Sequence, residues 1–173
     1  KADRIASATK RTITEKMELD PSFYARFSEL LEETIRDYRA KRLSEVEYLN
    51  SIMDIARKVA TKDHGAGLPP DIKSDDDAAA FYGIIEPIVS SAANGNGSSD
   101  LSVTVTQKIL AIVKSHLIVD LWSNDVAQNK MRNAIDDYCF DHLRDDRGVD
   151  LPVEKLDELQ EQIMRVARAR FPA

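Results

Sequence analysis

The stretch ITEKMELDPSFYARFSELLEETI (residues 13–35) predicts two helices separated by an abrupt stop. Asp20 is a favourable N-cap residue, because its carboxylate can accept hydrogen bonds from the first free N–H groups of a helix. Pro21 would then take the first helical position, where its missing N–H costs nothing. The stretch contains no nucleophile motif, metal-ligand cluster or phosphate-binding loop. It therefore predicts an architecture and leaves the chemistry open.

The apolar spacing on either side of this stop predicts helices, and the second and third helices of the chain should form a hairpin. One helix is expected over residues 3–19 and a second from Pro21 to about Ala40. Ser44 followed by Glu47 is the pattern of a capping box, so a third helix should start there and run antiparallel to the second. The residues expected inward recur at helical spacing: Phe23, Phe27, Leu30, Leu31, Ile35 and Tyr38 on the second helix, and Tyr48, Leu49, Ile52, Met53, Ile55, Ala56 and Val59 on the third.

Segments rich in glycine, proline or asparagine predict loops at 63–74 and 94–100. The helix between them should start within Ser74 to Asp77, and Pro87 should kink it or end its first part. A further helix is expected over about 102–116. The run HLIVDLW (116–122) is the most apolar in the chain, and its length suits either a buried extended segment or a buried helix end.

Two more helices are predicted in the last third of the chain. The first should be capped by Ser123 or Asn124 and end at Gly148, and the second should open at Pro152. Their expected inward residues are Val126, Met131, Ile135, Tyr138, Cys139 and Leu143, then Leu156, Leu159, Ile163, Val166 and Ala167. The pattern as a whole predicts an all-α fold of six to eight helices. We expect the chain to form a single helical domain over 1–173. Sub-lobes at 1–62 and 75–173 remain open as an alternative.

Composition and charge narrow the class of protein. Charged residues make up 31% of the chain and aromatic residues 6%, which is typical of a soluble helical protein. The net charge of −6 disfavours a stand-alone nucleic-acid binder, although local basic patches remain open. No membrane span or signal peptide is expected, and the single cysteine favours a reducing compartment. Because the chain begins at Lys1 in what reads as helix, we expect it to be part of a larger protein.

The sequence offers few candidates for catalysis. None of its six glycines is followed by lysine, so no P-loop is present. A restriction-type nuclease centre has an acidic residue followed two positions later by lysine. The sequence contains this pattern once, in Asp71-Ile72-Lys73, and we interpret that segment as a connector. Cys139 and Trp122 are interpreted as core residues, and His64 and His116 as structural.

An acidic helix face comes closest to a metal site. Carboxylates four residues apart share a helix face, and hard cations prefer oxygen ligands. The alternative, which we favour, is a solvated face compensated by Arg132, Arg144 and Arg147. The face comprises Asp136, Asp137, Asp141, Asp145 and Asp146, with His142 beside them.

Basic residues cluster at two helix ends. Cations favour a helix C-terminus through its dipole, so a purely local role is open for both clusters. The functional interpretation is a patch that binds nucleic acid or an acidic partner. The clusters are Arg165, Arg168 and Arg170 near the end of the last helix, and Arg36, Arg39, Lys41 and Arg42 near the end of the second.

Residues 14–49 resemble the C-terminal helical region of the R subunits of type I restriction enzymes. The family pattern is an Asp-Pro-x-Phe-Tyr step followed by a helical hairpin. AAAFYGII (78–85), VDLW (119–122, with Leu121 as an extra residue) and the Ile135-Asp136-Asp137 step are also similar. The matching residues of the hairpin are Asp20, Pro21, Phe23, Tyr24, Phe27, Ser28, Leu31, Ile35, Tyr38, Ser44, Tyr48 and Leu49.

The resemblance implies an assembly role in the bacterial or archaeal cytoplasm. R subunits of this family carry a nuclease domain, two motor lobes that use ATP and Mg²⁺ to translocate DNA, and the helical region. That region is associated with docking onto the methyltransferase (modification) subunits. The implied partners are those subunits and the rest of the R subunit, with DNA reached only through the full complex and no membrane. No catalytic residue or cofactor is implied for this chain.

Two alternatives belong to other classes of function. An unrelated helical adaptor or regulatory bundle would bind a peptide or small ligand, if loops 63–74 and 94–100 closed over a pocket with aromatic walls. A metal-dependent helical hydrolase would use the face from Asp136 to Asp146.

Overall fold

A computed structural model of the chain describes residues 1–94 and 98–172. Over those residues the secondary structure is entirely helical, with eight α-helices and no strand, which confirms the all-α prediction. Three short 3₁₀ turns, Met17–Leu19, Gly65–Gly67 and Leu121–Ser123, lie in the connections. The helices are α1 (Ala2–Lys16), α2 (Pro21–Arg39), α3 (Glu45–Thr61), α4 (Pro70–Lys73), α5 (Asp76–Ala92), α6 (Ser98–Ser115), α7 (Asp125–Tyr138) and α8 (Val153–Arg170).

The helices form two compact units, Lys1–Leu68 with α1 to α3 and Pro69–Ala173 with α4 to α8. The predicted division of the chain into domains stays a prediction.

The first unit is a three-helix arrangement in which each helix packs against the other two. Its core is built from the apolar stripes of the three helices, and it buries Phe23, Phe27 and Ile52 almost completely. Tyr48 of α3 stacks on Tyr38 of α2 with ring centroids 4.1 Å apart. The hydroxyl of Tyr48 donates a hydrogen bond of 3.0 Å to the carboxylate of Asp3 on α1. This one side chain therefore contacts both neighbouring helices.

Asp20 joins the start of α2 to the end of α3. Its carboxylate is 1% exposed and accepts a hydrogen bond from the Phe23 N–H, so the predicted N-cap is confirmed. The ammonium group of Lys62 donates a second hydrogen bond of 2.9 Å to the same carboxylate. Lys62 ends α3 in the left-handed conformation, at φ +53°. Its Nζ lies 4.5 Å from the centroid of the Phe23 ring, within cation–π range.

Helix α3 follows its predicted start, and part of its predicted inward face is buried. The capping box is present, with Glu47 N–H donating to Ser44 Oγ and Ser44 N–H donating to a Glu47 carboxylate oxygen. Met53, predicted inward, is 49% exposed, and Leu30 of α2 is also exposed. The reason is that α3 buries a single stripe at steps of four, three and four residues: Tyr48, Ile52, Ile55 and Val59.

In the second unit, α5 packs against α6 and α8. Asp75 caps α5 by accepting hydrogen bonds from the N–H groups of Asp77 and Ala78. Pro87 does not end this helix, which continues to Ala92. Its ring is exposed, so it meets solvent instead of the packed face of the helix.

Both predicted loops are partly helical. The 63–74 segment contains a 3₁₀ turn and α4, and α4 places Ile72 fully inside the second unit. The prediction for 94–100 is wrong for 98–100, which form the first turn of α6, while residues 95–97 lie outside the described residues.

The apolar run 116–122 is not buried as predicted. Ile118 is 49% and Val119 83% exposed, and only Leu121 is fully buried. The run forms a tight connection from α6 to α7, with Asp120 at φ +59°, so the backbone reverses too sharply to bury consecutive side chains. Val126 was also wrongly predicted inward: it is 67% exposed, and the buried residues of α7 are Met131 and Ile135, which lie four residues apart on another face of the helix.

Helix α7 continues into a π-helical segment, Cys139–Asp146. The segment keeps Cys139 and Leu143 buried, as predicted for one continuous helix. Gly148, at φ +65°, ends it as predicted, because that conformation is easily adopted only by glycine. The sequence did not predict the π-helical geometry of this segment, because apolar periodicity over two turns does not distinguish a π-helix from an α-helix.

We expect the variant Asp20→Ala to lower the free energy of unfolding by roughly 3 kcal/mol, because it removes a helix cap and leaves the Lys62 ammonium without its buried counter-ion. Thermal or urea unfolding monitored by circular dichroism measures the change. The matched control is Asp54→Ala, which removes an exposed carboxylate paired with Arg57 and Lys58 on one helix and should cost much less, because solvent screens surface ion pairs. Equal losses in the two variants would contradict a special role for Asp20.

Candidate functional site

The predicted basic cluster on α8 is divided by the structure. Arg165 and Arg168 are exposed and lie three residues apart, on one face of the helix. Arg170 instead turns inward. Its guanidinium donates hydrogen bonds of 2.6 Å to Asp77 and 2.6 Å to Asp76, at the start of α5.

The Arg170 side chain is only 10% exposed. Burial alone would lower the pKa of its guanidinium, but the hydrogen bonds to Asp76 and Asp77 outweigh burial and raise that pKa. Arg170 therefore holds the end of α8 against the start of α5. A partner at this end of the helix would meet Arg165 and Arg168.

The basic residues at the end of α2 are more exposed to solvent than Arg170. Arg36 and Arg39 are exposed. Arg42 is exposed too, but its guanidinium lies 3.1 Å from the Asp37 carboxylate, a surface ion pair of small energetic value. Lys41 turns the chain between α2 and α3 at φ +58°. The three arginines therefore remain accessible, as a partner-binding role would require.

The acidic face does not converge on one point. Asp136 accepts a hydrogen bond of 2.7 Å from Gln160 on α8, and burial raises the pKa of its carboxyl group. Asp137, Asp141 and Asp145 are exposed, and the Asp146 carboxylate pairs with the His142 ring at 2.9 Å. Within the described part of the chain, no group of three or more His, Cys, Asp or Glu side chains could hold a metal ion.

The other candidate residues have structural contacts. The His64 ring packs on Phe23 at 4.7 Å, and His116 makes a 2.8 Å hydrogen bond with the Ile112 carbonyl. Trp122 is half-buried and donates a hydrogen bond of 2.6 Å to the Phe171 carbonyl, just after α8. Asp71 and Lys73 are exposed on either side of buried Ile72 in α4. These contacts account for the positions of all three rings.

Cys139 is buried among apolar side chains. Its exposed fraction is 5%, and burial, aided by the charge of Asp136, raises the pKa of its thiol to about 12. A thiol in this state is not a nucleophile at neutral pH, because the reactive form is the thiolate.

Two open surfaces of the first unit were not predicted. A groove of about 680 Å³ lies between α1 and α3. A cavity of about 490 Å³ is lined by Phe27, Leu30 and His64, with charged side chains at its edge. Part of loop 63–74 thus contributes to a cavity, as the adaptor alternative requires, although only Phe27 and the His64 ring supply aromatic-type walls.

One signal in the sequence could have revealed the groove. The α3 sequence contains a second apolar stripe at steps of three and four residues, beside the stripe that the core uses: Val46, Leu49, Met53, Ala56 and Ala60. The packing of α3 against α1 and α2 buries only one of its two stripes, so Val46 and Met53 of the other stripe stay exposed.

The pKa of Cys139 gives a testable consequence. At pH 8, a thiol with pKa 12 has about 1,000-fold less thiolate than one near 9, since each pKa unit is tenfold. We expect a disulfide-exchange reagent to label native protein at least that much more slowly than protein in denaturant. A rise in pH from 7 to 9 should not bring the native rate near that of the unfolded chain. Rapid labelling of the native protein would contradict the burial of this thiol.

None of the helices described here is both long and apolar enough to cross a membrane. The model of one protein family matches residues 4–171, from the first turn of α1 to the end of α8, and its description is type I restriction enzyme HindI endonuclease subunit-like, C-terminal. This match confirms the resemblance found in the hairpin sequence. No curated protein and no solved structure was found to match the chain.

Proposed function

We propose a docking function for this chain, which belongs to the family of type I restriction enzyme HindI endonuclease subunit-like C-terminal regions. The chain would hold the DNA-translocating endonuclease subunit on the methyltransferase core. It would do so as a helical module that carries out no chemistry of its own. Its partners would be the modification subunits and the rest of the endonuclease subunit. DNA would be reached only through the complete enzyme.

The observation that carries this proposal is the way α8 presents its cations. The ion pairs of Arg170 with Asp76 and Asp77 fix the last turn of the helix. Arg165 and Arg168 are therefore offered from a fixed position and stay exposed. Pre-positioned charges of this kind favour fast and specific association with an acidic surface. Arg36, Arg39 and Arg42 at the end of α2 are proposed as a second, smaller contact.

The absence of a catalytic arrangement in the described residues supports the same function. The sequence contains no P-loop, and burial raises the pKa of the Cys139 thiol. ATP hydrolysis, Mg²⁺ binding and DNA cleavage would then belong to other parts of the parent subunit. Family membership also disfavours the alternative of an unrelated adaptor bundle.

Size-exclusion chromatography with light scattering tests the docking function. The 173-residue chain is mixed with the modification subunits encoded beside its parent gene, and a complex with the summed mass is expected. The double variant Arg165→Glu/Arg168→Glu should weaken this complex roughly tenfold or more, because like charges then face the acidic surface. The matched control, Lys108→Glu/Lys130→Glu, reverses two other exposed cations of the second unit and should leave the complex intact.

Absence of a complex at tens of micromolar, both for this chain and for the complete endonuclease subunit, would refute docking. Binding of the complete subunit alone would assign the contact to other parts of it. The isolated chain should show no ATPase or nuclease activity above background.

A further inference from the structure

Helix α3 leaves an apolar seam uncovered. Val46 is 69% and Met53 49% exposed, and Leu49, Ala56 and Ala60 continue their line with side chains that are half-buried or exposed. The steps along this line are three, four, three and four residues. A seam with this alternation repeats every seven residues, which is the spacing that one helix uses to pack along another.

The groove between α1 and α3 lies beside the C-terminal part of this seam. Ala56 and Ala60 of α3 line it on one side, and Ile5, Ala8 and Thr12 of α1 on the other. Its volume is about 680 Å³. Small side chains on both sides allow another helix to approach at the 8–10 Å axial distance that packed helices adopt. Seam and groove together form an elongated apolar surface, which suits a helix better than a compact ligand.

The charged side chains that line the groove have one sign. Lys1 and Arg4 line the groove, and among the described residues of its lining there is no carboxylate. Residues 1–16 carry five lysine or arginine side chains against two carboxylates, in a chain with a net charge of −6. Helix α1 is therefore a basic helix in an acidic protein. The complementary partner carries acidic residues along the border of its apolar face.

We infer that the α3 seam and the α1–α3 groove bind one amphipathic helix of a modification subunit, with an apolar stripe flanked by Asp or Glu. This inference rests on the proposed docking function and adds an apolar contact surface to the basic ones, together with the chemistry of the partner helix. A nucleic acid would use the cations but gain nothing from Val46, Leu49 and Met53. The apolar seam therefore favours a protein helix.

A synthetic peptide of three heptads provides the probe, with leucine at the two apolar positions of each heptad and glutamate beside them. Fluorescence anisotropy measures its binding to the 173-residue chain. The glutamate peptide should bind more tightly than the same peptide with lysine in place of glutamate, and added salt should reduce the difference. Met53→Glu and Arg4→Glu should each weaken binding about tenfold, as expected for central contacts.

The control variant is Leu30→Glu, which places the same charge on an exposed apolar residue of α2 in the same unit. It should leave peptide binding unchanged. Circular dichroism verifies that all variants stay helical, which is expected because the substituted side chains lie at the surface.

Binding of the modification subunits separates this inference from the proposed function. Met53→Glu should weaken that complex as it weakens the peptide. If the modification subunits bind the Met53→Glu variant normally, the groove is not their docking surface and the docking function survives. If they fail to bind the unaltered chain and the complete subunit while the peptide binds, docking and the inferred partner both fall. Duplex DNA that binds and is lost in Arg4→Glu, but not in Met53→Glu, would also overturn the inference.

Discussion

The first unit depends on a buried carboxylate, that of Asp20, and on the groups that compensate it. A buried charge without partners costs several kcal/mol, so the chain must supply the Phe23 N–H and the Lys62 ammonium at the same point. One partner lies in the first turn of α2, and the other immediately follows α3. The two helices are therefore fixed in register at the end where α1 also finishes. The aromatic side chains of the hairpin then pack between helices whose relative positions are fixed. The positions of the helices also fix the outer faces of the unit.

Where the signal was local, the sequence was sufficient to predict the structure. The cap at Asp20, the capping box of Ser44 and Glu47, and the stop at Gly148 all depend on residues within a few positions of each other. Met53 was misplaced because α3 has two adjacent apolar stripes, and only tertiary packing decides which one faces the core. The prediction that the run 116–122 is buried was wrong for a related reason. Its hydropathy suggested burial, but the short connection between two helices leaves no space to bury every side chain.

The contacts of the basic residues could not be predicted from the sequence. The sequence placed three arginines near the end of α8, yet it could not indicate that Arg170 would pair with carboxylates more than ninety positions earlier. Long-range ion pairs of this type leave no periodic trace. Family membership now assigns the chain to the C-terminal region of an endonuclease subunit.

The backbone of Lys62 places two demands on one position. Its left-handed conformation is the one that glycine adopts most easily, yet glycine would remove the ammonium that neutralises Asp20. A residue cannot satisfy both demands, so some backbone strain is retained for the sake of charge balance. In terms of sequence variation, positions 20 and 62 should change together. Relatives with glycine at position 62 should carry a neutral cap such as serine or asparagine at position 20, while those with aspartate at position 20 should keep a cation at position 62.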